Sequence, residues 1–418
     1  MTRNTRNSKS FCLAFCLLII LFVATSMAEE DEERYLRLKI GKSGLKGKVL
    51  SIAPDRLYDL SNGQDIEFSG MIENMMSSRF VYIGETHNSL PMHDIQLKII
   101  QALYKKDKRL AIGLEMIPVT LQHILNKWSL GLLTEEELIQ DILWYETWNF
   151  NFEYYEKIFA FANLNKIPIY GLNIPKGLVT KIRMKGWDAL TEDEKKLVPR
   201  PDVSHEEHRT LIRTIFESSD LPHQMKGPGL DMMFEGFYRA QSAWDESMAF
   251  YASQASNETE RRIVVLAGSG HFLYNLGINR RVHEINGLPF KTVLCLEIPE
   301  NEKTLSVSRS LADYVWGLSE EDRPSFPSIG LTFKKFDGLA NLVIDRDPID
   351  GVAKDENFTK GDIVLSVDGR TYTEINDLRT YLAKFRWNDE VTFRFLREAK
   401  ELEVVLKFLP KNNNNNSE

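Results

Sequence analysis

The sequence predicts an α/β fold: a mostly parallel central sheet flanked by helices, followed by a smaller β-rich unit. Three observations carry this. The runs Phe80-Val81-Tyr82-Ile83, Leu110-Ala111-Ile112-Gly113-Leu114 and Ile263-Val264-Val265-Leu266-Ala267 are apolar throughout, the pattern of strands buried on both faces. Between the first two, Ile95, Ile99 and Leu103 recur at i+4 as one helix face. Each apolar run then ends in polar residues (Glu85 and His87; Glu115; Ser269 and His271), where open α/β sheets place their ligand crevices.

At 418 residues the chain has room for two or three domains. Hydrophobic residues at 43% and charged residues at 27% are ordinary for a soluble globular protein, so the fold argument needs no special class. The N-terminus departs from that average. Arg3, Arg6 and Lys9 precede the apolar run Phe11 to Val23, and Ser26-Met27-Ala28 offers small residues at the positions a signal peptidase reads. Residues 1–28 are therefore expected to be a secretory signal peptide, and the protein to be exported to the periplasm or envelope of a bacterium. Cleavage removes three cations and no anion, moving the formal charge from −8 to −11, which disfavours nucleic acid as a partner. Cys12 and Cys16 leave as well, so only Cys295 remains, read as a buried, inert thiol.

In chain order, residues 29–54 read as a lead-in, and residues 55–318 as the α/β domain. Arg56 to Leu60 and the Asn62-Gly63 turn suggest a hairpin that Ile66 and Phe68 would continue. The organising strand Phe80 to Ile83 follows, with Pro91 suited to a first helical turn. The order strand, helix, strand predicts a parallel βαβ unit, which puts Glu115 beside Glu85 and His87. Leu121 to Asn165 is helical, with Thr134 and Glu137 as a capping box. Its part from Trp144 to Phe161 is rich in aromatics, suited either to helix core or to an apolar wall for a flat ligand. Ile167 to Asn173 is a third strand. His205 and His208, three residues apart among charges, fit a solvated helix face better than a metal pair. Asp245 and Glu246 lie about 100° apart on a helix, so only one is expected to reach a site. Thr292 to Glu297 is a further strand and Asp313 to Trp316 closes the domain.

Taken together, these motifs resemble a known family. Gly84-Glu85-Thr86-His87, Gln96, Glu115-Met116, Gln122, Asn173-Ile174-Pro175, Trp244 to Ala249 and Gly268-Ser269-Gly270-His271 stand in the order typical of ChaN-like haem-binding proteins, whose wider relatives include Tiki-type proteases and erythromycin esterases. The resemblance runs from about Tyr58 to Trp316 and places the pocket signature on Glu85, His87, His93, Glu115 and His271. Asn88 stands where the family often has Asp, and Met92-His93 where it often has two histidines. After a linker at 319–327, residues 328–410 resemble a bacterial PDZ domain, followed by an asparagine-rich tail at 411–418. Ile329-Gly330-Leu331-Thr332 would form its carboxylate-binding loop, Lys360 to Gly369 is its most recognisable stretch, and Ile375 to Phe385 would be its groove helix. Ile363, Leu365 and Val367 alternate before the Asp368-Gly369 turn, so the strand–turn pattern stands without the resemblance.

Two functions of different class follow. The first is an envelope protein that binds or handles haem, with His87, His93 and His271 as candidate ligands (a tyrosine being the other possible axial group), and with Arg280 and Arg281 meeting the propionates. The second is a metal-dependent hydrolase in which Glu85, His87, Glu115 and His271 hold Zn, Mn or Fe, and Glu85 or His87 performs the catalysis. A blander third reading is a scaffold that presents the PDZ domain. Expected partners are haem or another small molecule and an extended peptide, with a homodimer also possible.

Overall fold

A computed structural model describes residues 33–219, 228–321 and 323–410. The signal peptide expected at residues 1–28 and the asparagine-rich tail at 411–418 lie outside the described residues. The strands are β1 (Val49–Ile52), β2 (Leu57–Asp59), β3 (Gln64–Asp65), β4 (Phe80–Glu85), β5 (Leu110–Pro118), β6 (Ile169–Asn173), β7 (Arg262–Gly268), β8 (Phe290–Ile298), β9 (Leu305–Ser308) and β10 (Tyr314–Ser319) in the first part. The second part holds β11 (Phe333–Lys334), β12 (Val343–Ile344), β13 (Ile363–Val367), β14 (Glu390–Arg397) and β15 (Lys400–Lys407).

The main sheet has eight strands in the order β3-β2-β10-β8-β4-β7-β5-β6. From β10 to β6 every pairing is parallel, and the β2–β3 hairpin adds an antiparallel edge. Every residue of β4 and of β7 is buried, as the unbroken apolar runs require of central strands covered on both faces. One apolar layer packs Ile95, Ile99 and Leu103 with Trp144, Phe152 and Phe159; the other packs Tyr82 with Met248, Phe272 and Val282.

The topology corrects one expectation. β4 and β5 are not neighbours, because β7 lies between them and pairs with both. β7 carries Ile263 to Ala267 without a polar break, and the most apolar strand gains most from the centre of the sheet. Glu115 therefore emerges one strand away from Glu85, on the same edge. Two local readings also shift. Phe68 opens the helix Phe68–Met75 instead of extending the hairpin. The lead-in is partly ordered, with β1 pairing antiparallel to β9. The capping box forms as the sequence indicates, with the Glu137 backbone N–H donating to Thr134 Oγ1 at 3.2 Å.

The second part is a separate five-stranded antiparallel sheet, β11-β12-β13-β14-β15, with the helix Ile375–Leu382 and its own core of Leu342, Ile344, Phe393 and Phe395. Between Asp347 and Asn357, where PDZ domains carry a compact helix, the chain forms only turns.

Candidate functional site at the carboxyl edge of the sheet

The carboxyl ends of β4, β7 and β5 bring Glu85, His87, Gly268, His271 and Glu115 together. Glu85 closes β4 with only 1% of its surface exposed. A carboxylate so deep is tolerable only if its oxygens are paired. Oε1 accepts the Tyr155 hydroxyl at 2.5 Å and lies 2.9 Å from His87 Nδ1. Oε2 accepts Gln96 Nε2 at 2.6 Å. Burial pushes the Glu85 pKa up, but His93, His87 and Tyr155 together outweigh it and hold it below the usual carboxylate value. Burial and the adjoining Glu85 charge keep Tyr155 a neutral phenol, its pKa well above 10. An ionised Glu85 can only accept, so His87 Nδ1 carries a proton, and in the neutral ring Nε2 then holds the lone pair.

The His87 ring is covered by aromatics. Its centroid lies 4.6 Å from Trp148, edge-on, and 5.1 Å from Phe150. Trp148 Nε1 donates to the Tyr155 hydroxyl at 3.3 Å, so Trp148, Tyr155, Glu85 and His87 form one hydrogen-bonded chain. His87 is 6% exposed beneath this cover. The aromatic segment thus serves both readings given to it: Trp144, Phe152 and Phe159 are core, whereas Trp148 and Phe150 wall the site.

A second array lies across β7. Glu115 sits beside an irregularity in β5, where the pairing with β6 slips between Leu114 and Pro118. Its Oε2 accepts the Gly268 N–H at 2.8 Å, and its Oε1 lies 3.3 Å from His271 Nε2. On its other side His271 Nδ1 meets Asp245 Oδ1 at 2.5 Å. Asp245 also lies 3.4 Å from Arg281 Nη1. Burial alone would lower the His271 pKa; the Glu115 charge and the Asp245 hydrogen bond overcome it and push it up to about 10. Glu115 is held down to about 2, burial being outweighed chiefly by His271. His271 is therefore an imidazolium clamped between two carboxylates.

These contacts revise several sequence expectations. Glu85, His87, Glu115 and His271 do share one edge, but as hydrogen-bonded pairs. Among the described residues no three His, Cys, Asp or Glu side chains come together as a group that could hold a metal ion. Glu85, with both oxygens engaged, orients His87 and is not placed as a general base. His93 is not a pocket ligand either: it lies buried behind His87, with Nδ1 3.0 Å from Gln96 Oε1 and Nε2 3.2 Å from the His87 carbonyl. Arg281 is 1% exposed and is spent on Asp245, Glu246 and the carbonyls of Leu276, Gly277 and Asp202. Arg280 is bound to Glu284 and Asp202. Neither arginine is held ready for a propionate. His208 is not solvated but fully buried, its Nε2 3.1 Å from Asp245 Oδ2, and burial keeps its pKa low. Asp245 is the member of its pair that reaches the site. Gln241, Tyr155 and Trp148 complete it; the last two were visible in the sequence only as part of an aromatic run.

In the second part, loop 329–332 runs into the sheet edge at β11. Ala353 N–H donates to the Ile329 carbonyl at 3.0 Å, and Asp345 N–H to the Thr332 carbonyl at 2.9 Å. Leu331 is buried in the core. Gly330 has φ +78°, and a side chain there would collide with the Asp350 carbonyl. A bulky residue at Gly330 would therefore break the loop itself instead of merely blocking a ligand.

Two family models match this chain. The one described as haem-binding uptake, Tiki superfamily, ChaN covers residues 71–282, and a PDZ domain model covers residues 327–408. A solved structure of ChaN from Campylobacter jejuni with cofacial haem is 19% identical, covering 64% of this chain and 96% of that one with a TM-score of 0.50. A mutant erythromycin esterase in its open conformation is 12% identical over 62% of this chain and 83% of that chain, with a TM-score of 0.34. The Arabidopsis thaliana protein RETICULATA-RELATED 5, chloroplastic, is 25% identical over 31% of this chain. The chain spans about a fifth of that relative, 18% of its length.

The second array has a pH signature. A His271 pKa raised from ~6.5 to about 10 stabilises the fold fully below pH ~6.5, and that contribution is lost as pH rises towards 10. Glu115, lowered to about 2 from ~4.3, contributes above pH ~4.3 and loses this as pH falls. Urea unfolding across pH should show greatest stability between these limits. His271→Gln should cost about 3 kcal/mol near pH 6, since it leaves Glu115 and Asp245 uncompensated. It should also flatten the decline above pH ~6.5. An unaltered alkaline limb in the variant would contradict the imidazolium assignment.

Proposed function

The chain belongs to the family described as haem-binding uptake, Tiki superfamily, ChaN, and from that membership we propose that its strand-end site binds haem. The observation that carries this reading is His87, whose Nδ1 is fixed on Glu85 at 2.9 Å while Trp148 and Phe150 stand against its ring. A histidine oriented by a carboxylate has its other nitrogen prepared to ligate a metal, and the carboxylate raises its basicity. Bound haem would supply an iron for that nitrogen and a flat apolar ring for the aromatic faces. The donor chemistry of the site fits that group: one oriented imidazole, flanking aromatics, and carboxylates already neutralised by their own partners. Gln96 and Tyr155 act on Glu85, and through it hold the imidazole in one tautomer and one orientation. His271 is less suited as a ligand, because both its nitrogens face carboxylates.

Haemin titrated into the full chain should give a saturable Soret shift. His87→Ala should weaken it by at least about tenfold, and Glu85→Gln by about tenfold through loss of orientation. Arg280→Ala should leave it nearly unchanged, since that guanidinium is already paired. Native affinity in His87→Ala would sink the assignment.

For the PDZ domain we propose capture of an extended chain end, laid as an added strand beside β11, with the carboxylate received by backbone N–H groups of loop 329–332. The edge position of β11 supports this. A peptide selected from a C-terminal library should lose about tenfold or more in affinity when its carboxyl is amidated. Equal binding of acid and amide would rule out recognition of the chain end.

We also propose export to a bacterial envelope, supported by the charged start, the apolar run and the Ser26-Met27-Ala28 exit. The intact mass of exported material should correspond to a chain beginning near Glu29. A full-length, membrane-retained product would count against it.

A further inference from the structure

His87 is 6% exposed, and Trp148 and Phe150, both within the segment 143–153, lie against its ring as a cover. A planar ligand as large as a porphyrin cannot reach His87 Nε2 while Trp148 and Phe150 lie over the ring. The cover is not held by its own domain alone. The Tyr145 N–H donates to Asn376 Oδ1 at 3.1 Å, and Asn376 Nδ2 donates to Gln140 Oε1 at 2.8 Å. Arg379 Nη1 reaches the Tyr145 carbonyl at 3.4 Å. Asn151 Nδ2 donates to the Ala383 carbonyl at 3.0 Å, and Arg386 Nη2 pairs with Glu153 Oε2 at 2.6 Å. Asn376, Arg379 and Ala383 all belong to the PDZ helix Ile375–Leu382 or its C-cap. These bonds fall on both flanks of Trp148 and Phe150.

The backbone of the cover suits a segment that moves. Leu143 and Asn149, which bracket Trp144 to Trp148, have φ of 49° and 75°. A leucine in the left-handed region is disfavoured by its Cβ, so the closed conformation is held against local strain. Asn376, by contrast, is buried with both ends of its amide bonded across the domain boundary.

We propose that Asn376 and Arg386 of the PDZ domain are positioning residues for the aromatic cover of His87, holding residues 143–153 closed, so that a flat ligand enters only as this clamp loosens. A peptide engaging the helix Ile375–Leu382 from its other side would then be linked to access at His87. The proposal deepens the haem reading and rests on it for the ligand, but the clamp itself is measurable without haem.

The test uses the full chain and the variants Asn376→Ala, Arg386→Ala and the conservative Arg386→Lys. Hydrogen exchange over residues 143–153 is followed together with the rate at which diethyl pyrocarbonate acylates His87, located by mass spectrometry. Losing one or two net hydrogen bonds at the clamp should accelerate both by roughly tenfold in the alanine variants. Arg386→Lys should restore much of the protection, and exchange in the two cores should stay unchanged. A merely structural role would raise exchange throughout the PDZ core without singling out the cover, and that result overturns the proposal. So does unchanged exchange and labelling in both alanine variants. Haemin association should accelerate by the same factor as His87 labelling, and association that stays at the native rate while labelling rises also overturns it. A native chain that binds no haemin removes the haem reading, whereas faster labelling in the alanine variants still upholds the clamp.

Discussion

Burying carboxylates is the constraint on which the rest of the structure depends. Glu85, Glu115 and Asp245 are all withdrawn from water at one edge of the sheet, and each isolated charge there would cost several kcal/mol. The fold answers by supplying donors from the surrounding elements: Gln96 from the helix Leu90–Lys106, Tyr155 from the N-cap of the helix Glu156–Leu164, the Gly268 amide from β7, and Arg281 from the helix Ile278–Asn286. Because each donor is itself spent on a carboxylate, the positions of His87 and His271 are over-determined. The rigidity of the site follows from electrostatic necessity, and packing alone would not impose it.

The two arrays also divide the labour differently from what four candidate ligands suggest. Glu85 and His87 form a polar pair under an aromatic roof, with one ring nitrogen left out of the network. Glu115, His271, Asp245 and Arg281 form a closed sequence of alternating charge, in which each member satisfies the next. The first has chemistry left to offer a ligand. The second ties β5 and β7 to the helices Pro228–Thr259 and Ile278–Asn286.

Much of this was legible in the sequence. The apolar runs at Phe80, Leu110 and Ile263 identify the central strands because strands covered on both faces read as near-continuous apolar runs, with polar residues kept to their ends where partners can reach them. Their polar ends locate the site because topology puts parallel strand ends on one edge. The insertion of β7 between β4 and β5 was not legible, since neighbouring order is set by which strand gains most from central burial, a comparison across the whole sheet. The roles of Arg280, Arg281, His93 and His208 were hidden for a related reason. A charged residue in an ordinary helical context gives no sign that its partner, such as Asp245, lies in a buried position 36 residues earlier in the chain. Trp148 and Phe150 could not be told from Trp144 and Phe152, because alternation in a short, kinked segment depends on the two left-handed residues at Leu143 and Asn149.

The place of β7 has a consequence for how the chain comes into being. β5 can pair with β6 once Asn173 has been made, yet β4 cannot be joined to that pair until β7 is complete at Gly268, about 150 residues later than Glu115. A gap of that span must be closed by a long loop whose entropy opposes it. Two apolar strand edges stand open in the meantime, an invitation to wrong pairing or aggregation. Closure of the sheet thus waits on the last third of the domain, where β7, β8 and β10 all lie. A chain stopped before β7 would lack more than half of a site. It would lack the strand that joins β4 to the β5–β6 pair.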